Sequence, residues 1–335
     1  MWGEASIPQL DILPLVDLVI FHGGNNTFTE TVYFGKPMIV MPLFGDQPDN
    51  AQLVVEAKIG LRLDPFTVTE NELLSAIDTL IEDKEIHERI KKISEEVRFN
   101  SNLDNVIKRI EDIARKPKLP TTDDRAAGVI EFIYGERVVR REYFFRPCNG
   151  KFYRDEKSGN KRPFVEDTIK DKNETFFQSS WVDEMIRKRN FFAKLFQTIK
   201  YSSKRIREII ETVKPDVIIE DDIVTNPILA RNKIPLVKLF SFNPLRMFPN
   251  DDLPPAGTGL PLNDRINWEK YKKIIDDIYS PLWNDLNKWT IENEAPALPL
   301  NQFQYVSTNL NIALCPKPIF KIYAERVSLG EEWMV

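Results

Sequence analysis

Residues 16–52, VDLVIFHGGNNTFTETVYFGKPMIVMPLFGDQPDNAQ, constrain the architecture more than any other stretch of the chain. Residues 16–21 are an unbroken apolar run, the pattern of a strand buried on both faces. His22-Gly23-Gly24 then interrupts it. Glycine lacks a Cβ, so the backbone here can turn sharply and approach a ligand closely. Asn25, Asn26 or Thr27 is expected to cap the helix that follows. A helix N-terminus offers free N–H groups and the positive end of a dipole, so it suits a phosphate. Gly35-Lys36-Pro37 ends the helix, and residues 38–41 read as a second buried strand. The unit is a parallel βαβ with an anion site at its first turn.

The 335 residues give room for more than one such unit, and a split into two domains is expected at this length. Hydrophobic residues make up 42% of the chain and aromatic residues 11%, enough for a real core. The net charge of −5 argues against general nucleic-acid affinity. Cys148 and Cys315 are the only cysteines, and His22 and His87 the only histidines. Neither a disulfide framework nor a metal centre is therefore expected. No apolar run is long enough to span a bilayer and no signal peptide is visible, so a cytoplasmic location is the default expectation.

The residues of the 16–52 stretch are more specific than its periodicity. HGGNNT, Glu30, Gly35-Lys36-Pro37, Pro42 and Asp46-Gln47, with Pro8-Gln9 upstream, resemble the donor-binding signature of the family 1 UDP-glycosyltransferases, enzymes of GT-B fold. The resemblance implies a fold of α/β class, GT-B-like, with two partial Rossmann-like domains built on parallel sheets and closed by C-terminal helices. It also implies roles. His22, Gly24 and the backbone around Asn26 and Thr27 would hold a diphosphate. Glu30 would accept hydrogen bonds from ribose hydroxyls, Asp46 and Gln47 would bind sugar hydroxyls, and Gln9 would lie near the nucleoside. These roles suit the groups, since carboxylates accept from vicinal hydroxyls and imidazole donates to phosphate. Many plant members carry a base-stacking tryptophan three residues before the glutamine; here Ser6 stands in that place. Gln47 points to glucose as the sugar by the same analogy. Outside such a motif, His22 would read as a core histidine, Glu30 as a helix-face carboxylate, and Asp46-Gln47 as the close of a turn.

Downstream, residues 59–65 read as a short strand. Thr69 and Glu72 form a capping box ahead of a helical stripe of Leu73, Leu74, Ile77, Leu80 and Ile81. Residues 86–97 and 103–113 continue as amphipathic helices, matching the closing helices of the family's donor domain. A stop at 116–120 and a further helix at 126–134 complete a donor-type domain over 1–135. Residues 136–162 are basic and aromatic, and read as a solvated linker or hairpin rather than an RNA-binding surface. Residues 163–335 read as a partial acceptor-type domain. It comprises a long helix at 181–213, a strand at 217–219, a short helix at 226–232 and a strand at 235–240. A loop over 241–262 follows, then aromatic-lined helices and a strand at 310–314. The resemblance makes Asp221 the orienting partner of a catalytic histidine, with Glu220 and Asp222 as neighbours that compete for the role. The bland alternative is that these acids solvate a strand end. The 241–262 loop would face a small lipophilic acceptor.

In the family the acceptor domain precedes the donor domain. Here the donor-like part comes first, and the opening strands that carry the family's catalytic histidine are not visible in either part. A fusion of two tandem gene pieces fits this order better than a permuted and shortened enzyme. Two half-Rossmann units would expose sheet edges and apolar faces unless one packed against the other, so marginal stability or aggregation is expected. The implied function is transfer of a hexosyl group from a UDP-sugar to a lipophilic hydroxyl with inversion. The UDP-sugar is a donor substrate and no cofactor is needed. With the base missing, little turnover is expected. The alternatives are a non-catalytic nucleotide-sugar binder and a sugar-nucleotide epimerase of GT-B fold.

Overall fold

The computed structural model describes residues 7–99, 103–115, 181–231, 234–248 and 251–335. The helix expected at 126–134 and the hairpin at 136–162 lie outside the described residues. The protein is of α/β class, with two parallel sheets.

The first sheet is built by β1 (Val19–Phe21), α2 (Asn25–Tyr33), β2 (Met38–Val40), α3 (Gln47–Glu56) and β3 (Gly60–Arg62), after a short α1 (Gln9–Ile12). Its order is β1-β2-β3, and Val19 lies opposite Met38, which lies opposite Gly60. Parallel neighbours need a crossover, and α2 and α3 supply them. All three residues of β2 are buried, as its apolar run requires. The expectation that 16–21 is buried on both faces is corrected. The strand is shorter and lies at the sheet edge, and Ile20 is 44% exposed. Flanking strands on both sides seal β2 but not β1.

The Thr69 box is present in full ahead of α4 (Glu70–Glu82): Thr69 Oγ1 accepts from Glu72 N, and Glu72 Oε2 accepts from Thr69 N at 2.7 Å. Leu80 and Ala76 seat that helix on Ile39, while Leu74 and Ile81 of the expected stripe face solvent. Then come α5 (Lys84–Phe99) and α6 (Leu103–Arg115).

The second sheet follows α7 (Trp181–Val213), whose bounds match the expected helix. It comprises β4 (Ile218–Glu220), α8 (Pro227–Ala230), β5 (Leu236–Phe240), α9 (Arg265–Glu292), β6 (Leu310–Ala313), α10 (Lys317–Ala324) and β7 (Trp333–Met334). The order is β4-β5-β6-β7, parallel throughout. Phe192, Phe196 and Ile199 of α7 pack on Tyr279, Leu282 and Leu286 of α9, so these aromatic stripes are core.

The two sheets do not have separate interiors. One core joins Phe28, Val32, Val40 and Leu53 of the first region to Phe240, Phe242, Phe248, Phe320 and Tyr323 of the second. Each half covers apolar surface that the other would leave in water. Helix α6 crosses over as well. Ile110, with Val106 and Ile113, packs on Ile219, Val237, Leu310 and Ile312 of the second sheet. The sequence reading groups this helix with the first region, whereas its apolar face closes the second.

Candidate functional site

The site begins where β1 ends. Gly23 has φ +91°, a conformation that L side chains rarely adopt, and a Cβ there would stand 2.8 Å from Val40 Cγ1. At Gly24 a Cβ would stand 2.6 Å from His22 Nε2, so this glycine makes room for the imidazole. The N-cap of α2 is Gly24, and no side chain caps the helix. Asn25, Asn26 and Thr27, read as candidate caps, are instead the first helical residues. Asn25 Nδ2 donates outward to the Ser241 and Leu314 carbonyls of the second region, at 3.0 and 3.3 Å. Without a capping side chain, the first-turn N–H groups and the positive helix end are left for an anion.

Helix α3 forms the seam between the regions. Asp46 Oδ2 accepts from Asn243 N at 3.2 Å. Asn50 donates to the Gly23 carbonyl and accepts from Asn243 Nδ2, both at 2.8 Å. Asp49 is fully buried and accepts from the backbone N–H groups of Gly257 and Gly259. Burial pushes its carboxyl above the usual aspartate range, against those two hydrogen bonds and the Arg246 and Lys188 charges. Arg62 Nη1 donates to the Gly259 carbonyl at 2.7 Å, and Glu56 accepts from Leu262 N. Sequence reasoning passed over Asp49 and Asn50. They follow Gln47-Pro48 in an acidic helix start, and only the partner loop reveals their use. That loop, 241–262, is the one expected to face a small lipophilic acceptor. Ser241, Phe242 and Arg246 do line a cavity, but Met247, Phe248 and Leu253 are buried in the shared core.

Two cavities flank the start of α2. The larger, a cleft of about 760 Å³, lies between the regions. Its first wall is His22, Gly24–Thr27 and the 44–46 loop. Its second wall comes from α7 and the strand-end loops: Arg187, Lys188, Phe191, Phe192, Ile223, Phe242 and Arg246. The smaller cavity, about 410 Å³, is bordered by Asn25, Asn26 and Glu30 on one side and by Cys315, Pro316 and Lys317 on the other.

The expected site residues divide accordingly. His22, Gly24, Asn26, Thr27 and Asp46 meet at the larger cleft, and Glu30 faces the smaller cavity. Gln9 donates to Glu30 and to Thr27 Oγ1, so it stands at the same helix face. Gln47 is buried, and its Oε1 accepts from Leu43 N and Phe44 N, which commits that oxygen to shaping the loop. Asp221 accepts from Ser241 Oγ at 2.7 Å, and burial raises its carboxyl. Its neighbours are occupied internally. Glu220 and Lys238, adjacent across β4 and β5, form a buried ion pair, and Lys238 also donates to the Asp222 carbonyl. Asp222 holds the Ile223 and Val224 N–H groups. His87 bonds to the Leu80 carbonyl between α4 and α5. Arg187 and Lys188 of α7 and Arg246 of the 241–262 loop carry no local pattern that marks them as lining a cleft.

Parallel strands, a glycine turn at a strand end and an open helix start define the α/β class in which ligands bind beyond the carboxyl ends of the sheet. The family described as UDP-glucoronosyl and UDP-glucosyl transferase matches residues 5–115. Human UDP-glucuronosyltransferase 2B28 is 41% identical over 90 residues, 26% of this chain and 17% of that protein. The uncharacterized UDP-glucosyltransferase YdhE of Bacillus subtilis (strain 168) is 32% identical over 110 residues, 33% of this chain and 28% of its own. A solved glycotransferase of kitacinnamycin is 34% identical over 31% of this chain and 28% of that one, with a TM-score of 0.30. The likeness to UDP-glucoronosyl and UDP-glucosyl transferases thus lies in the first region, over residues 5–115. The chain spans about a sixth of the human relative's length and just over a quarter of the bacterial one's. No helix among the described residues is long and apolar enough to cross a membrane.

Proposed function

We propose that the chain binds a UDP-sugar across the start of α2 and serves transfer of a hexosyl group to a small lipophilic hydroxyl, with inversion. The observation that carries this reading is the open helix start standing between two cavities. The diphosphate would lie on the first-turn N–H groups, with His22 donating to it. The nucleoside would extend toward Glu30 and Gln9, and the sugar toward Asp46. Phe191, Phe192, Ile223 and Phe242 offer an apolar wall for the acceptor. During transfer the acceptor oxygen would bond to the anomeric carbon as the bond to the phosphate oxygen breaks. The N–H groups would stabilise the charge that develops on the leaving diphosphate.

Transfer also needs a base for the acceptor proton. His22 borders the diphosphate side and His87 is bonded to Leu80, so neither is placed for that role. This observation favours a second reading, a nucleotide-sugar binder without turnover. Titration calorimetry with UDP and UDP-glucose tests binding, and His22→Ala should weaken UDP by roughly tenfold, the size of one charge-assisted hydrogen bond. Unchanged UDP affinity in that variant would discard the site. A phenol glucoside formed by the purified chain would select transfer over binding. UDP release without a glucoside would point to an epimerase or hydrolase.

A further inference from the structure

The second wall of the cleft carries charge that the donor reading leaves unused. The Arg246 guanidinium lies over the Phe192 ring, 5.8 Å from its centroid. Among the described residues no carboxylate comes within ion-pair distance of it. The charged groups around it are already engaged. Lys188 pairs with Glu184 at 2.8 Å, and both oxygens of Asp49 accept from the 257–259 loop. Asp46, on the opposite wall, accepts from Asn243 N. An arginine held on an aromatic face with its donors uncommitted is suited to a carboxylate, which its planar fork grips in two places. The rings beside it suit an apolar body.

We propose that the cleft has a second anion subsite, distinct from the helix start, in which Arg246 binds the carboxylate of an aromatic or alicyclic acid. Phe192 and Phe242 flank the ring of that acid. This proposal deepens the acceptor side of the function above, and rests on that reading only for the occupant of the first wall.

The test is calorimetric titration of the full chain with 2-naphthoate, with the neutral isostere 2-naphthol, and with UDP. 2-Naphthoate should bind about tenfold more tightly than 2-naphthol, as a charge-assisted pair requires. Arg246→Gln should abolish that preference and leave UDP affinity unchanged. Arg246→Lys, which keeps the charge, should retain part of it, and melting curves of both variants should match the parent. Equal affinity for the two naphthalenes in the parent would overturn the proposal. So would an Arg246→Gln variant that weakens UDP as much as 2-naphthoate, because Arg246 would then belong to the diphosphate. A parent chain that ignores UDP but prefers 2-naphthoate would sink the donor reading and uphold the carboxylate subsite.

Discussion

The two sheets follow the same plan, yet they finish their strand ends in opposite ways. At the end of β1 the chain places two glycines and an uncapped helix, so its N–H groups remain open. At the end of β4 it places Glu220, Asp221 and Asp222, and every one of them has a partner within the protein. The helix that follows β4 is closed too. Asn226 Oδ1 accepts from Ile228 N at 3.1 Å and from Ser203 Oγ at 3.2 Å. One strand end leaves its helix N–H groups uncapped, and the other closes its polar groups within the protein. A parallel sheet thus offers a ligand position at each strand end, and local side-chain chemistry decides whether it stays available.

The largest effect that would sharpen this contrast is expected at the closed end. Glu220→Ala leaves the Lys238 ammonium buried and unpaired, which should cost about 3–5 kcal/mol. Urea unfolding measures it, and a loss under about 1 kcal/mol would mean the pair is not buried in solution. Gly23→Ala at the open end meets both the positive φ and the Val40 contact, and should cost about 2 kcal/mol while abolishing UDP binding. An alanine variant of parental stability and affinity would show that the turn is not built as described. Asn226→Ala removes a cap and should cost about 1 kcal/mol with UDP affinity intact, because Asn226 borders neither cavity. A change in UDP affinity there would break the contrast.

The smallest effect is one of pH. Burial raises the folded-state pKa of Asp49, Asp221 and Asp222 above their ordinary values of 3.8. Over the window from those ordinary values up to the raised ones, the folded state binds more protons than the unfolded state. The stability these groups contribute is therefore fully present below the ordinary values and is lost as pH rises through the raised ones. Melting temperature should fall as pH rises above those ordinary values, and a continuous increase would contradict the assignment.

Much of this was legible in the sequence where a local rule applied. The Thr69–Glu72 box, the 181–213 helix and the apolar runs at 38–40 and 236–240 each follow from neighbours in the chain. The glycine turn was legible because only glycine suits that backbone. The cap of α2 was not: three good capping residues stand at 25–27, but the turn at Gly23 starts the helix one residue earlier and places them inside it. Arg246 was hidden because its value comes from Phe192, which lies on a different element.

What the sequence determined by itself, then, is the first βαβ unit with its glycine turn, the long helix at 181–213, and the family that residues 5–115 resemble. These depend on spacing and residue type over short stretches. The tertiary structure alone decided that Asp49 reaches two glycine N–H groups about two hundred residues away, that α6 covers the second sheet, and that both sheets share one core. The physical reason is that burial of apolar surface is non-directional. It specifies which faces must be covered, and only the packed chain shows which partner covers them.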